Sequence, residues 1–427
     1  MLNGTRGRWI VLAVAIAAAL ATVAATSGTS SASQKAPAPS SLRGEFTLVS
    51  HTGTQLPFDV LIKNFNAAYP NVKVDVQYLP PGATFSQPLL ARINAGNAPD
   101  VLFTNPGPGG DVSAYQLGKA GKLLDLSNRP WVKRIPTVHR NIFFLGKKVY
   151  AAPVFMTASG VTYNTTAFRR LGFSVPTTFA QLLQLCGRAK AAGINLIALP
   201  GLAGNEVFIS ATIPNVYASD PTWNTKRVQG KVKFATSPGW IKTLNRLIAM
   251  RDADCFVPGW QSANTNTVAQ QLVSGRAVAA LGPSAAIARY QPLTPDQTWA
   301  SFPFPGDKAT DRRAAIGYNF SLSVSATTKN RAASLAFIDF LGREGQSRLM
   351  ARLFASVSLV DLKTGKIPAA LADYAPLIKG EKTVPRGTDI WLTASTFNNL
   401  AVVLGNVMTG QQRPAEALKI LDDTWGK

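Results

Sequence analysis

Apolar and polar residues alternate over residues 45–50 (EFTLVS), the period-two signature of a strand. The period then changes. Phe58, Leu61, Ile62 and Phe65 recur at i, i+3, i+4 and i+7, which predicts a helix over 58–69 stopped by Tyr69-Pro70-Asn71. A second alternating strand follows at 72–78, a helix at 86–96 and an apolar strand at 101–103. This strand–helix–strand–helix–strand order predicts an α/β fold whose parallel sheet is joined by right-handed crossovers. Ligands of such sheets sit beyond the carboxyl ends of the strands, which places His51-Thr52 and Thr104-Asn105-Pro106 at a cleft.

The pattern continues through Gly146–Phe179. Residues 148–150 and 161–163 read as short strands with a Pro153-containing segment passing between them. A helical turn over 165–171 is closed by Gly172, and Pro176 opens an amphipathic helix to 192 with Thr177 and Thr178 in its first turn. Beyond it, strands are expected at 196–199, 276–281, 302–305 and 316–324. Helices are expected at 240–253, 268–275, 332–342, 346–351, 368–372, 390–408 and 414–425. No internal repeat is visible.

A chain of 427 residues exceeds one ordinary core, so two lobes are expected, and an apolar fraction of 46% excludes a disordered class. The formal charge is +22. Three readings follow: a basic secreted protein held near an anionic envelope, a field drawing in an acidic solute, or nucleic-acid binding. The last is disfavoured, because basic residues come in ones and twos without interleaved aromatics. Residues 1–32 read as a signal peptide: Arg6 and Arg8 precede an apolar run, and small residues offer cleavage sites at Ala24-Ala25 and Ser30-Ser31-Ala32. An uncleaved anchor is the alternative. No Cys follows the run, so a Cys-linked lipid is not expected, and residues 33–44 read as a Ser/Pro/Ala-rich tether. Two cysteines, Cys186 and Cys255, in an exported chain predict one disulfide, with a pair of buried thiols as the alternative. Two Cys and two His at these spacings match no zinc pattern, and neither a metal nor a cofactor is expected.

Six landmarks in fixed order carry a resemblance. They are residues 95–101 (AGNAPDV), 118–126 (GKAGKLLDL), 146–179, 272–283 (LVSGRAVAALGP), 317–343 (ending AASLAFIDFLGR), and 407–410 with 414–418 (VMTG, PAEAL). Each is weak alone; together they resemble extracellular solute-binding proteins of ABC sugar importers, of the maltose-binding type. The resemblance implies a two-lobed periplasmic-binding-protein-like fold of type II, each lobe a mostly parallel sheet flanked by helices, closing on a solute like a hinged clamp. It implies a non-enzymatic, monomeric receptor that hands a carbohydrate to a membrane permease. The crossings are expected near 153–157, 257–262 and 308–316. The N-terminal lobe is then 45–155 plus 261–310, and the C-terminal lobe 156–260 plus 311–427.

Strand-end loops and the resemblance together nominate the ligand residues. His51 and Thr52 suit sugar hydroxyls, or merely cap their loop. Asn105 offers a donor and an acceptor, while Pro106 shapes the turn. Thr157 stands where sugar-binding relatives often have a carboxylate, and Ser284 where the family's Gly-Pro-Trp places an aromatic. Asn205 and Glu206 follow a Gly-rich loop, with Glu206 alternatively a solvated charge. Tyr318 is placed to stack and Asn319 to hydrogen-bond. Phe397 falls where relatives set an aromatic under the sugar, with Trp391 as runner-up; Leu400 and Leu404 on the same helix face make ordinary core the alternative for Phe397.

Another small polar or anionic solute, such as a uronic acid or polyol, is the alternative ligand. An exported carbohydrate-active enzyme is the remaining class. It is disfavoured because the few strand-end acids, Glu206 and Asp111, form no obvious pair and no Gly-x-Ser-x-Gly is present.

Overall fold

The structure, a computed structural model, describes residues 41–80, 83–201, 204–362 and 366–426; the side chains of Tyr318 and Asn319 also lie outside this description. The expected signal peptide, and the tether as far as residue 40, therefore lie outside the described residues. Among those described, no helix is long and apolar enough to cross a membrane.

The alternating segments form β1 (Gly44–His51) and β2 (Val72–Leu79), and the apolar one forms β3 (Val101–Thr104). All three are parallel, with β1 in the centre. Their connecting helices are Gln55–Ala68 and Ala83–Asn94, the first burying Phe58, Leu61, Ile62 and Phe65 as their spacing requires. Asp100 fastens this unit. Its carboxylate accepts from the Thr47 amide at 2.9 Å and the Thr47 hydroxyl at 3.0 Å, and also from Thr328 and Asn330. Burial pushes its pKa up, but these hydrogen bonds outweigh burial and hold it below the ordinary value.

A small hairpin of β4 (Phe144–Leu145) and β5 (Lys148–Val149) precedes the longest strand, β6 (Ala152–Asn164). Pro153 was expected in a crossing between two strands; instead the crossing is the strand itself. Pro153 lies opposite Ser321, where the pairing of β6 with β10 (Ala314–Val324) shifts register, so the irregularity accommodates a residue without an N–H. β6 then pairs antiparallel with β8 (Ala277–Pro283) and β9 (Trp299–Phe302), while β7 (Asn195–Ala198) runs parallel to β8. β11 (Thr383–Pro385) adds to β10. The order β2-β1-β3-β10-β6-β8-β7 carries one mixed sheet through the molecule, with β6 and β10 as its shared middle.

Two large hydrophobic cores flank that middle. The first gathers residues 42–158 with 314–378; the second gathers 161–260 with 278–304 and 384–421. The cores therefore apportion the chain differently from the sequence reading. Val278, Ala279, Leu281, Phe302 and Phe304 pack with the second core, because β8 and β9 pair with the far half of β6, while Ala280, Ile287, Tyr290 and Trp299 form a smaller third cluster. Helices Arg331–Leu341 and Glu344–Leu353 pack with the first, through Phe337, Phe340 and Met350. Near the crossing expected at 257–262, Phe256 bridges to Ile197 and Trp260 is buried in the second core. The chain passes from Phe304 of the second core to Ala314 of the first, over the expected 308–316 segment, and again from Ile378 of the first core to Val384 of the second.

Two helix boundaries also move. Thr178, not Pro176, opens helix Phe179–Ala191: its hydroxyl accepts from Gln181, whose side chain returns the bond in a capping box. Helix Ala394–Met408 starts four residues later than expected, after a short turn, Gly387–Ile390. Cys186, on the first of these helices, is joined by a disulfide to Cys255.

Candidate ligand-binding site

The cleft opens where the carboxyl ends of strands from both units converge. His51 ends β1 and Gly53 follows it, Pro200 follows β7, and Gly282 and Pro283 end β8. Thr162 of β6 and Phe320 of β10 face it from the crossing strands. It encloses about 300 Å³ and is walled largely by apolar groups, including Val268, Ala285, Ala286 and Phe354. Phe354 belongs to the first core and Leu281 to the second, while Val268, Ala280 and Tyr290 belong to a smaller third cluster, so a solute here touches all three.

His51 sits in an aromatic surround, its ring 4.8 Å from Phe103, 5.4 Å from Phe320 and 5.9 Å from Phe85. Burial, followed by the nearby Arg289 charge, pushes its pKa down to about 4, so it is neutral at neutral pH. Its Nδ1 is buried without a hydrogen-bond partner among the described residues.

Glu206 reaches the cleft from the first turn of helix Gly204–Thr212, rather than from a loop. It forms an ion pair with Arg386. Asn205, beside it, does not line the cleft; its side-chain oxygen accepts from the Glu206 amide at 2.9 Å. Tyr290, buried and pushed up to about 12 chiefly by burial, stays protonated.

A second, smaller pocket of about 60 Å³ lies beside Asn105, Pro106, Asp389 and Phe397. Phe397 is half-buried, and the Arg386 guanidinium lies 5.6 Å from its ring centroid, so one face of this ring is already covered.

The remaining nominated residues sit elsewhere. Thr52 is exposed in the turn Thr52–Thr54 and does not line the cleft. Thr157 and Ser284 are both 0% exposed and spend their hydroxyls on each other's neighbourhood. Trp391 is also 0% exposed: it belongs to the second core, its Nε1 donating to Asn224 Oδ1 at 3.1 Å. Tyr318 and Asn319 contribute backbone to β10, and their side chains lie outside the described residues. Sequence reasoning missed Arg289, Tyr290, Phe320 and Phe354. The first two follow the Gly-Pro-Ser turn within seven residues of Pro283, so that strand-end turn was the available signal.

The family model described as bacterial extracellular solute-binding protein matches residues 50–347. The multiple sugar-binding protein of Streptococcus mutans is 23% identical over 289 residues, spanning 66% of this chain and 66% of that protein. The solute-binding protein RafE in complex with raffinose superposes with a TM-score of 0.71 at 20% identity, over 90% of this chain and 99% of its own. The GacH receptor of Streptomyces glaucescens, solved unliganded and with acarbose, gives 0.68 at 18% identity, over 90% of this chain and 97% of its own. With an α/β architecture shared along nine-tenths of its length and the family model spanning well over half of it, this chain belongs to the bacterial extracellular solute-binding protein family.

Proposed function

We propose that this protein is an extracytoplasmic receptor that captures a carbohydrate between two lobes and delivers it to an ABC transporter permease. One observation carries the reading: the cleft lies between Phe354 of the first core and Leu281 of the second, with Thr162 and Phe320 facing it from the strands the cores share. A solute bound there has differential contacts with open and closed arrangements, which is what closure requires. We take the two lobes to be the two cores, hinged along β6 and β10 and the return near residues 379–383.

The relatives named as sugar-binding, or solved with raffinose or acarbose, support a carbohydrate as the solute. Phe320, Phe354 and Tyr290 supply rigid apolar surface suited to the C–H faces of sugar rings. Catalysis is not part of this reading. The one carboxylate among the cleft's described lining residues is Glu206, and hydrolysis of a glycosidic bond calls for two. Export through residues 1–32, a membrane permease as partner and a monomeric state complete the proposal.

A thermal-shift panel of mono- and oligosaccharides, uronic acids and polyols tests it, because a bound solute raises the melting temperature by mass action. X-ray scattering on any hit should show a smaller radius of gyration. Binding without compaction would overturn the clamp, and a panel without a hit would overturn the carbohydrate.

A further inference from the structure

The cleft holds a cation, Arg289, that no carboxylate among the described residues neutralises. Arg289 lies in the short helix Ile287–Tyr290, just past the turn that ends β8. Its Nη1 donates to Thr265 Oγ1 at 2.6 Å and to Asn266 Oδ1 at 3.1 Å. Both acceptors are neutral, and both sit in the first turn of helix Thr265–Val273, which the Asn264 side chain caps. These bonds aim the guanidinium without consuming its charge. The opposite edge faces the first lobe: a Cβ built on Gly53 would lie 3.5 Å from Arg289 Nη2. Among the described residues no carboxylate forms an ion pair with Arg289, and its Nη2 and Nε make no hydrogen bond. The cleft's carboxylate, Glu206, is held by Arg386. Apolar walls around the head group lower the local dielectric and strengthen its field.

Building on the carbohydrate reading, we infer that the solute is an acidic sugar, a uronic acid or uronide, whose carboxylate docks on the Nη2–Nε edge of Arg289. A planar guanidinium with one edge already fixed presents the other as a fork matched to a carboxylate. The sugar ring then lies toward Phe320 and Phe354, on the crossing-strand side of the cleft. The chain's net charge of +22 draws anions in from a distance but does not tell one from another; Arg289 does.

Isothermal titration at fixed ionic strength tests this on the full chain. The ligands are D-glucuronate, D-galacturonate and digalacturonate, with D-glucose, D-galactose, raffinose and methyl galacturonate ester as neutral counterparts. A uronate should bind about 10- to 100-fold tighter than its neutral counterpart, Arg289→Met should remove that advantage, and Arg289→Lys should keep part of it. The comparison of acid with ester needs no variant, so it holds even where Arg289→Met folds poorly. Neutral sugars binding as tightly as uronates, with Arg289→Met unchanged, would overturn the anion anchor and leave the carbohydrate receptor standing. Binding of neither class would remove both.

Discussion

Thr157 and Ser284 stand 127 residues apart in the chain and hold each other's flanking backbone: their hydroxyl oxygens lie 3.3 Å apart. Ser284 Oγ accepts from the Ala158 amide at 3.1 Å, and Thr157 Oγ1 accepts from the Ala285 amide at 3.3 Å. These reciprocal ties bind the crossing strand β6 to the turn ending β8. Ser284→Ala leaves a buried N–H without that acceptor, a loss of about 1–3 kcal/mol. The urea midpoint of the variant should fall accordingly. Affinity of the folded variant for its solute should stay within about threefold of wild type, since the hydroxyl does not reach the cleft. Loss of affinity at unchanged stability would return Ser284 to the ligand.

Arg386 ties three parts of the molecule together. Its side chain is 6% exposed, it pairs with Glu206 and lies 3.9 Å from Asp389, and it covers the Phe397 ring. A Cβ on Gly317 would come within 2.4 Å of Arg386 Cβ, so the glycine in β10 lets the arginine pack against that strand. Arg386→Met strands the Glu206 charge in a partly buried site and should cost about 2–4 kcal/mol. Glu206→Gln in the same background should recover part of that loss. Strict additivity of the two changes in a denaturation cycle would show that the pair does not interact.

The first core was legible because its signals are local. The alternation at 45–50 and the i, i+3, i+4, i+7 spacing of Phe58, Leu61, Ile62 and Phe65 name both the elements and their buried faces. The apportioning of residues between the two cores was not legible, because it depends on which strands β6 and β10 pair with, and pairing partners leave no local periodicity. Trp391 illustrates the same limit. A Trp near a nominated Phe reads as a stacking surface until the packing of Trp240 and Phe234 around it is known. His51, Asn105, Glu206 and Phe397 reach pockets because strand ends and first helical turns are where this fold leaves side chains uncovered. Arg289 was passed over because its role follows from missing counter-charges, a property of the folded surroundings.

The Pro106–Gly110 loop and the Gly387–Ile390 turn touch through backbone. A Cβ on Gly107 would sit 1.9 Å from the Asp389 carbonyl oxygen, and one on Gly109 would sit 2.9 Å from the Trp391 carbonyl oxygen. Nearby, Asn398 donates to Asp111 at 3.2 Å. The loop follows β3 of the first core and Trp391 is buried in the second, so on the clamp reading proposed above these contacts belong to the closed arrangement. Gly107→Ala should therefore hold the halves apart. Scattering should give a larger radius of gyration for the variant than for wild type at saturating solute, with affinity reduced about tenfold or more. Identical dimensions and affinity would show that the loop yields instead of the lobes.

His139, 5% exposed and next to helix Arg140–Phe143, is pushed down to about 4 by burial. In the unfolded chain a histidine titrates near 6.5. Between pH 6.5 and 4 the unfolded state binds a proton that the folded state refuses, so folding stability falls as the pH falls through this window. The full difference is about 3 kcal/mol. His51 acts with the same sign. Asp339 and Asp373, both raised by burial, act oppositely where the pH nears their own range. The informative quantity is therefore the difference between wild type and His139→Gln. Urea unfolding measured from pH 7 to pH 4 should show a shallower decline for the variant, by up to about 1.4 kcal/mol per pH unit in the middle of the window. Parallel curves for the two proteins would mean that His139 takes up its proton in the folded state as readily as in the unfolded one.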